Sequence, residues 1–123
     1  MKTALIIEDN EDNMRLITLL LEKSAYLTLQ AFTGMQGYEM ALRNKPDFII
    51  LDIQLPDMEG TEVLRKIRAS EIENRIPVIA MTSYAMSGDR ERLLAAGCDG
   101  YIEKPIDPER VITQIRGVIG DQT

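Results

Sequence analysis

Asp47-Phe48-Ile49-Ile50-Leu51-Asp52 sets an apolar run between two acids, and the turn-forming stretch Ile53-Gln54-Leu55-Pro56-Asp57-Met58-Glu59-Gly60 follows it. A short continuous apolar run bounded by turn signals reads as a strand buried on both faces. A carboxylate at the end of such a strand is costly unless something pairs it or uses it. The pattern recurs along the chain. Ala4-Leu5-Ile6-Ile7 ends in Glu8-Asp9, Val78-Ile79-Ala80-Met81 in Thr82-Ser83, and Gly100-Tyr101-Ile102 in Glu103-Lys104-Pro105. Each buried strand therefore ends in an acid, a hydroxyl or an amine.

Helical signals fill the intervals. Asp12 to Ser24 places Met14, Ile17 and Leu21 on one face, with Leu20 beside them, as an amphipathic helix does. Leu27-Thr28-Leu29-Gln30-Ala31 alternates and reads as a further strand. Thr33-Gly34-Met35-Gln36 has the capping-box pattern and opens a helix to about Asn44, which Pro46 ends. Thr61 to Ala69 turns Val63, Leu64 and Ile67 inward. A helix from Ser87 or Gly88 to Ala96 is stopped by Gly97. Asp107-Pro108-Glu109 offers an N-cap, a first-turn proline and an early acid for a last helix ending near Gly117. Five βα units in a row predict an α/β fold, a parallel sheet with helices on both faces. Ligands of open α/β sheets bind outside the carboxyl ends of the strands. One sheet edge should therefore gather Glu8, Asp9, Asp52, Thr82 and Lys104.

Composition narrows the chemistry. The 123 residues suit one domain, spanning 1–123, with no obvious second functional unit. The net charge of −6 argues against direct nucleic-acid binding, which wants a basic face. No signal peptide and no membrane-spanning run is visible. The single cysteine, Cys98, sits among small residues, reads as buried, and fits a reducing, cytoplasmic location. There is no histidine, which excludes a Ser-His-Asp triad and histidine-based zinc sites. It also means that, in any phosphotransfer through histidine, this chain is the acceptor.

The clustered acids suggest a hard-cation site. Like charges a few ångströms apart cannot all remain ionised without help, and Mg²⁺ prefers one or two carboxylates with waters and phosphate oxygens. Carboxylates can also attack phosphorus to give an acyl phosphate, a reaction that needs mainly positioning and charge neutralisation. Lys104 offers a point positive charge to a phosphoryl oxygen and Thr82 a hydroxyl. Asp12 and Asp57 read as ordinary capping or solvated acids.

These residues carry a resemblance over about residues 3 to 117. Leu5-Ile6-Ile7-Glu8-Asp9-Asn10, the turn from Asp52 through Pro56 to Gly60, Thr82-Ser83 and Lys104-Pro105 together resemble the response-regulator receiver domain, the phospho-acceptor module of two-component signalling. The wording Glu8-Asp9-Asn10-Glu11-Asp12-Asn13 and Asp52-Ile53-Gln54-Leu55-Pro56 is similar to stand-alone regulators and to receivers attached to hybrid sensor kinases. The resemblance implies a flavodoxin-like five-stranded sheet of order 2-1-3-4-5. It implies that Asp52 is the phospho-acceptor and that Mg²⁺ is held by Glu8, Asp9, Asp52 and the backbone carbonyl of Gln54. Thr82, Ser83, Lys104 and the aromatic Tyr101 would bind the phosphoryl group and switch, and the Lys104-Pro105 bond would be cis. Gln54 and Tyr84 occupy positions that affect phosphate loss in the family. The implied partners are a histidine kinase or histidine phosphotransfer protein upstream and a protein bound downstream through the 83–117 face, with no membrane partner. The module would catalyse only its own phosphorylation and dephosphorylation.

Two other readings use the same fold. A phosphatase with an aspartyl nucleophile typically has a second acid two residues on, where Gln54 stands. A flavin- or nucleotide-binding module would want a glycine-rich loop after the first strand, where Asn10-Glu11-Asp12-Asn13 is acidic.

Overall fold

A computed structural model describes residues 1–70, 75–83 and 89–121. The order is β1 (Thr3–Ile7), α1 (Glu11–Lys23), β2 (Leu27–Ala31), α2 (Gly34–Asn44), β3 (Phe48–Asp52), α3 (Gly60–Ser70), β4 (Val78–Thr82), α4 (Asp89–Ala95), β5 (Gly100–Glu103) and α5 (Val111–Ile119). The strands form one sheet in the order β2-β1-β3-β4-β5, and every pairing is parallel.

Strand alternation divides the core into two layers. Ala4, Ile6, Phe48, Ile50, Ile79 and Met81 point to one face, where Met14, Ile17 and Leu21 of α1 and Val111 and Ile115 of α5 cover them. Leu5, Ile7, Ile49, Leu51, Val78 and Ala80 point to the other, under Ala41 of α2, Val63, Leu64 and Ile67 of α3, and Leu93 of α4. Covering both faces is why β1, β3 and β4 read as unbroken apolar runs. Strand β2 lies at an edge: Leu29 packs on the second layer while Leu27 is 52% exposed. Cys98 is buried, as its small neighbours suggested.

Helix ends follow local chemistry. Asn10 caps α1 by accepting from Asn13 N at 2.9 Å. Thr33 caps α2 by accepting from Gln36 N at 3.1 Å, and the Gln36 side chain reaches back to Phe32 N at 2.8 Å. That reach is one residue beyond the Thr33 N–H of the standard box. Lys45, left-handed at φ 45, ends α2 ahead of Pro46.

The last helix departs from expectation at both ends. Its regular part begins at Val111 with Arg110 as N-cap, not at Asp107. Asp107 instead closes a preceding turn: its carboxylate accepts from Glu109 N at 3.0 Å and its carbonyl from Val111 N at 3.0 Å. Gly117 lies inside the helix, and Gly120 at φ 81 stops it, its left-handed conformation being cheap for glycine. The expected start of α4 at Ser87 or Gly88 lies outside the described residues. Its end, Ala95 before Gly97 at φ 109, falls one residue short of expectation.

Candidate functional site

Parallel register brings the ends of β1, β3, β4 and β5 to one sheet edge. Ile7 pairs with Leu51, Asp52 with Met81, and Thr82 with Glu103. Glu8, directly after β1, is fully buried, and Asp52 and Thr82 are nearly so, each 2% exposed. Asp9 is exposed. Glu8, Asp9 and Asp52 each present a carboxylate oxygen within 4.8 Å of the others. From the far side Lys104 reaches in, its Nζ 2.9 Å from Glu8 Oε1 and 3.0 Å from Asp52 Oδ1. The peptide bond that follows it, Lys104-Pro105, is cis.

The loop after Asp52 folds back on the strand. Gln54 N donates to Asp52 Oδ1 at 3.2 Å, Gln54 bridges to Glu59, and Gly60 N donates to Ile53 O at 2.7 Å. A Cβ on Gly60 would sit 2.4 Å from Asp52 O, so only glycine lets α3 begin this close to the strand end. The turn from Asp52 to Gly60 is thus a packing requirement of the site itself.

Charge at the site is unevenly satisfied. Burial, then the hydrogen bond and repulsion with Asp52, push the Glu8 carboxyl up to about 7 against the pull of Lys104. Burial lowers the Lys104 pKa, but the Glu8 and Asp52 carboxylates outweigh it and hold the ammonium above the usual lysine range. Glu8 Oε1 is buried, with Lys104 Nζ 2.9 Å away as its charge partner. A buried carboxylate that shares its one ammonium with a second, and a third carboxylate beside them, make the donor set a hard divalent cation takes.

The response regulator receiver domain family matches residues 4–116. This chain belongs to that family. It is 43% identical over 120 residues to the polar-differentiation response regulator DivK of Brucella ovis, covering 98% of each chain. A receiver domain of a sensor histidine kinase from Pseudomonas aeruginosa is 34% identical with a TM-score of 0.87, covers 98% of each chain, and was solved with a magnesium ion coordinated in its active site cleft. A Chloroflexus aurantiacus protein, at 22% identity and covering 97% of this chain and 98% of that one, shares the fold with a TM-score of 0.90. The chain is thus the receiver domain of a response regulator in two-component signalling.

The receiver's remaining expected site residues lie around this core. Gln54 and Ser83 are exposed on the rim. Tyr101 is half-buried against the second core layer, with the Arg90 guanidinium 5.6 Å from its ring centre. Tyr84 lies outside the described residues.

Two long-range partnerships of the receiver escape a reading by sequence. Asp57 caps a helix that is not its own: it accepts from Gly34 N at 2.7 Å and Met35 N at 3.0 Å, and these bonds, Met35 first, lower its pKa. At the opposite edge of the sheet, Asp99 takes Arg68 and Arg75, each at 2.9 Å, and Val78 N at 2.8 Å. This network ties the end of α3 to the starts of β4 and β5.

Proposed function

We propose that Asp52 is the phospho-acceptor and that the acids of the β1 and β3 ends hold Mg²⁺. The observation that carries this is the convergence of Glu8, Asp9 and Asp52 within 4.8 Å, with Lys104 Nζ 3.0 Å from Asp52 Oδ1. An Asp52 oxygen forms the bond to phosphorus as the donor's P–N bond breaks, and the histidine imidazole of a kinase or phosphotransfer protein leaves. None of the 123 residues is a histidine, so the donor histidine lies outside this domain. Glu8, Asp9, Asp52 and the Gln54 carbonyl would hold the metal, which when bound neutralises charge on the phosphoryl oxygens and the carboxylates. Lys104 supplies a fixed positive charge to a phosphoryl oxygen, and Thr82 a hydroxyl donor from the neighbouring strand.

Phosphorylation adds about −1.5 to −2 charge beside Thr82 and Lys104. Both residues are drawn toward it, and Ser83, Tyr101 and the rest of the 83–117 face shift with them. That face binds the downstream protein. The activity is confined to the domain's own phosphorylation and dephosphorylation, in the cytoplasm, without nucleic-acid or membrane contact. No described helix is long and apolar enough to cross a membrane. A nucleotide-binding reading fits the structure poorly, since α1 opens with Asn10 bonded to Asn13 N and with Glu11 and Asp12 in its first turn.

Incubation of the purified protein with acetyl phosphate and Mg²⁺ tests the proposal. One phosphoryl group should be added, removable by hydroxylamine and absent when the metal is chelated. A protein that stays unmodified under these conditions, or that instead turns over generic phosphomonoesters, does not act as proposed.

A further inference from the structure

We propose that Asp57 is a positioning residue that holds the β3–α3 loop in metal-binding geometry by clamping it to the N-terminus of α2. The inference rests on the reading of Gln54 as a metal ligand. The loop that carries Gln54 has two grips on α2. One is the Asp57 carboxylate, with Oδ1 2.7 Å from Gly34 N and Oδ2 3.0 Å from Met35 N. The other is Met58, packed so closely that a Cβ on Gly34 would meet its Cγ at 2.6 Å.

Two residues share the work at the helix end. The first N–H groups of a helix have no partner within it. Here Asp57 takes those of Gly34 and Met35, while Thr33 takes that of Gln36 through its hydroxyl and that of Gly37 through its carbonyl. Thr33 serves the helix from inside; Asp57 serves it from a loop 23 residues away and is itself fixed in return. Bonds from backbone N–H groups to an ionised carboxylate at a helix N-terminus are among the stronger exposed contacts. Three residues before the clamp, Gln54 N holds Asp52 Oδ1 at 3.2 Å. Beyond the clamp, the chain is pinned again where Gly60 passes Asp52 O. A loop held at Gln54, Asp57 and Gly60 has little freedom to reorient the Gln54 peptide.

The experiment is an Mg²⁺ titration followed by the amide chemical shifts of Asp52 and Gln54, for the parent, Asp57→Ala, Asp57→Asn and Thr33→Ala. Asp57→Ala should weaken Mg²⁺ binding on the order of tenfold, as loss of a ligand-orienting partner does. Asp57→Asn, which keeps one acceptor oxygen, should lie between it and the parent, and reads the effect if the alanine variant does not fold. Thr33→Ala should lower the melting temperature through its lost cap yet bind Mg²⁺ as the parent does. Parent-like affinity in the Asp57 variants overturns the inference, and so does an equal loss in Thr33→Ala, which would make the effect a general loosening of α2. A parent that does not bind Mg²⁺ at all overturns the metal-site reading and the inference with it.

Discussion

Lys104 Nζ lies 3.0 Å from Asp52 Oδ1, so the ammonium that would later hold the phosphoryl group already pairs with the carboxylate that would accept it. The same Nζ stands 2.9 Å from Glu8 Oε1. One cation thus serves two buried acids. Breaking a buried pair by removing one partner is costly because a charge is left uncompensated. The site is poised toward a second positive charge.

The acceptor assignment is the simplest to test. Asp52→Asn keeps the shape of the side chain and removes the nucleophilic charge. Labelling by a small-molecule phosphodonor should vanish, measured by intact mass. Undiminished labelling would place the acceptor elsewhere.

Asp9→Asn removes a charge from a cluster whose carboxylate oxygens lie within 4.8 Å of one another. Mg²⁺ affinity should fall, and the metal-free protein should melt a few degrees higher as repulsion is relieved. Melting curves with and without Mg²⁺ check both. An equal Mg²⁺ stabilisation in the two proteins would show that these acids do not hold the ion.

Glu8 gives a pH dependence with a definite sign. Its carboxyl is raised from 4.5 to about 7 in the folded, metal-free state, so between those values the folded protein binds the extra proton. Stability rises with pH only where the unfolded state binds more protons, so here it falls as pH climbs from 4.5 to about 7. The loss is on the order of 1–3 kcal/mol. Asp121 and Asp57 shift the other way, below 3.8, and act outside this window. Denaturant unfolding in chelator should show the decline, and Glu8→Gln should flatten it. Mg²⁺ affinity should rise over the same range as Glu8 loses its proton. A parent and a Glu8→Gln variant with parallel pH profiles would contradict the buried-acid assignment.

Gly60→Ala places a methyl group where the Cβ would approach Asp52 O at 2.4 Å and Ile53 Cα at 2.7 Å, both backbone atoms with little room to yield. Overpacking of this kind costs about 1–3 kcal/mol. The expected result is a lower melting temperature together with slower phosphorylation, because the strand end that moves is the one carrying Asp52. An unchanged labelling rate would separate the turn from the chemistry.

Much of this architecture is written locally. The runs Ile49-Ile50-Leu51 and Ile79-Ala80-Met81 show their burial because both faces are covered, and capping residues such as Asn10 and Thr33 act within three positions of themselves. Parallel register then brings strand ends together, which is why Glu8, Asp9, Asp52, Thr82 and Lys104 could be assembled from sequence. What stayed hidden depends on distant partners. Asp57 bonds Gly34 and Asp99 bonds Arg68, across 23 and 31 residues. No periodicity encodes such pairs. The sequence points to too early a start for α5 because Asp107-Pro108 has the chemistry of a cap but spends it on a turn before the helix.

Thr82 and Lys104 should part company as variants, although both would face the same phosphate. Thr82 ends β4 and its carbonyl accepts from Lys104 N at 2.9 Å, so the two residues are adjacent across the β4–β5 pair. Thr82→Ala leaves Asp52 and the acids intact and should still accept phosphate. It should transmit poorly, since the hydroxyl that would pull the segment after β4 inward is gone. Lys104→Ala removes the cation shared by Glu8 and Asp52 and should lose phosphoryl stabilisation and transmission together. Amide chemical shifts of residues 89–106 before and after phosphorylation report the difference. If phosphorylated Thr82→Ala shows the shifts of the phosphorylated parent, the hydroxyl has no part in coupling. The signal would then run through Lys104 and β5 alone.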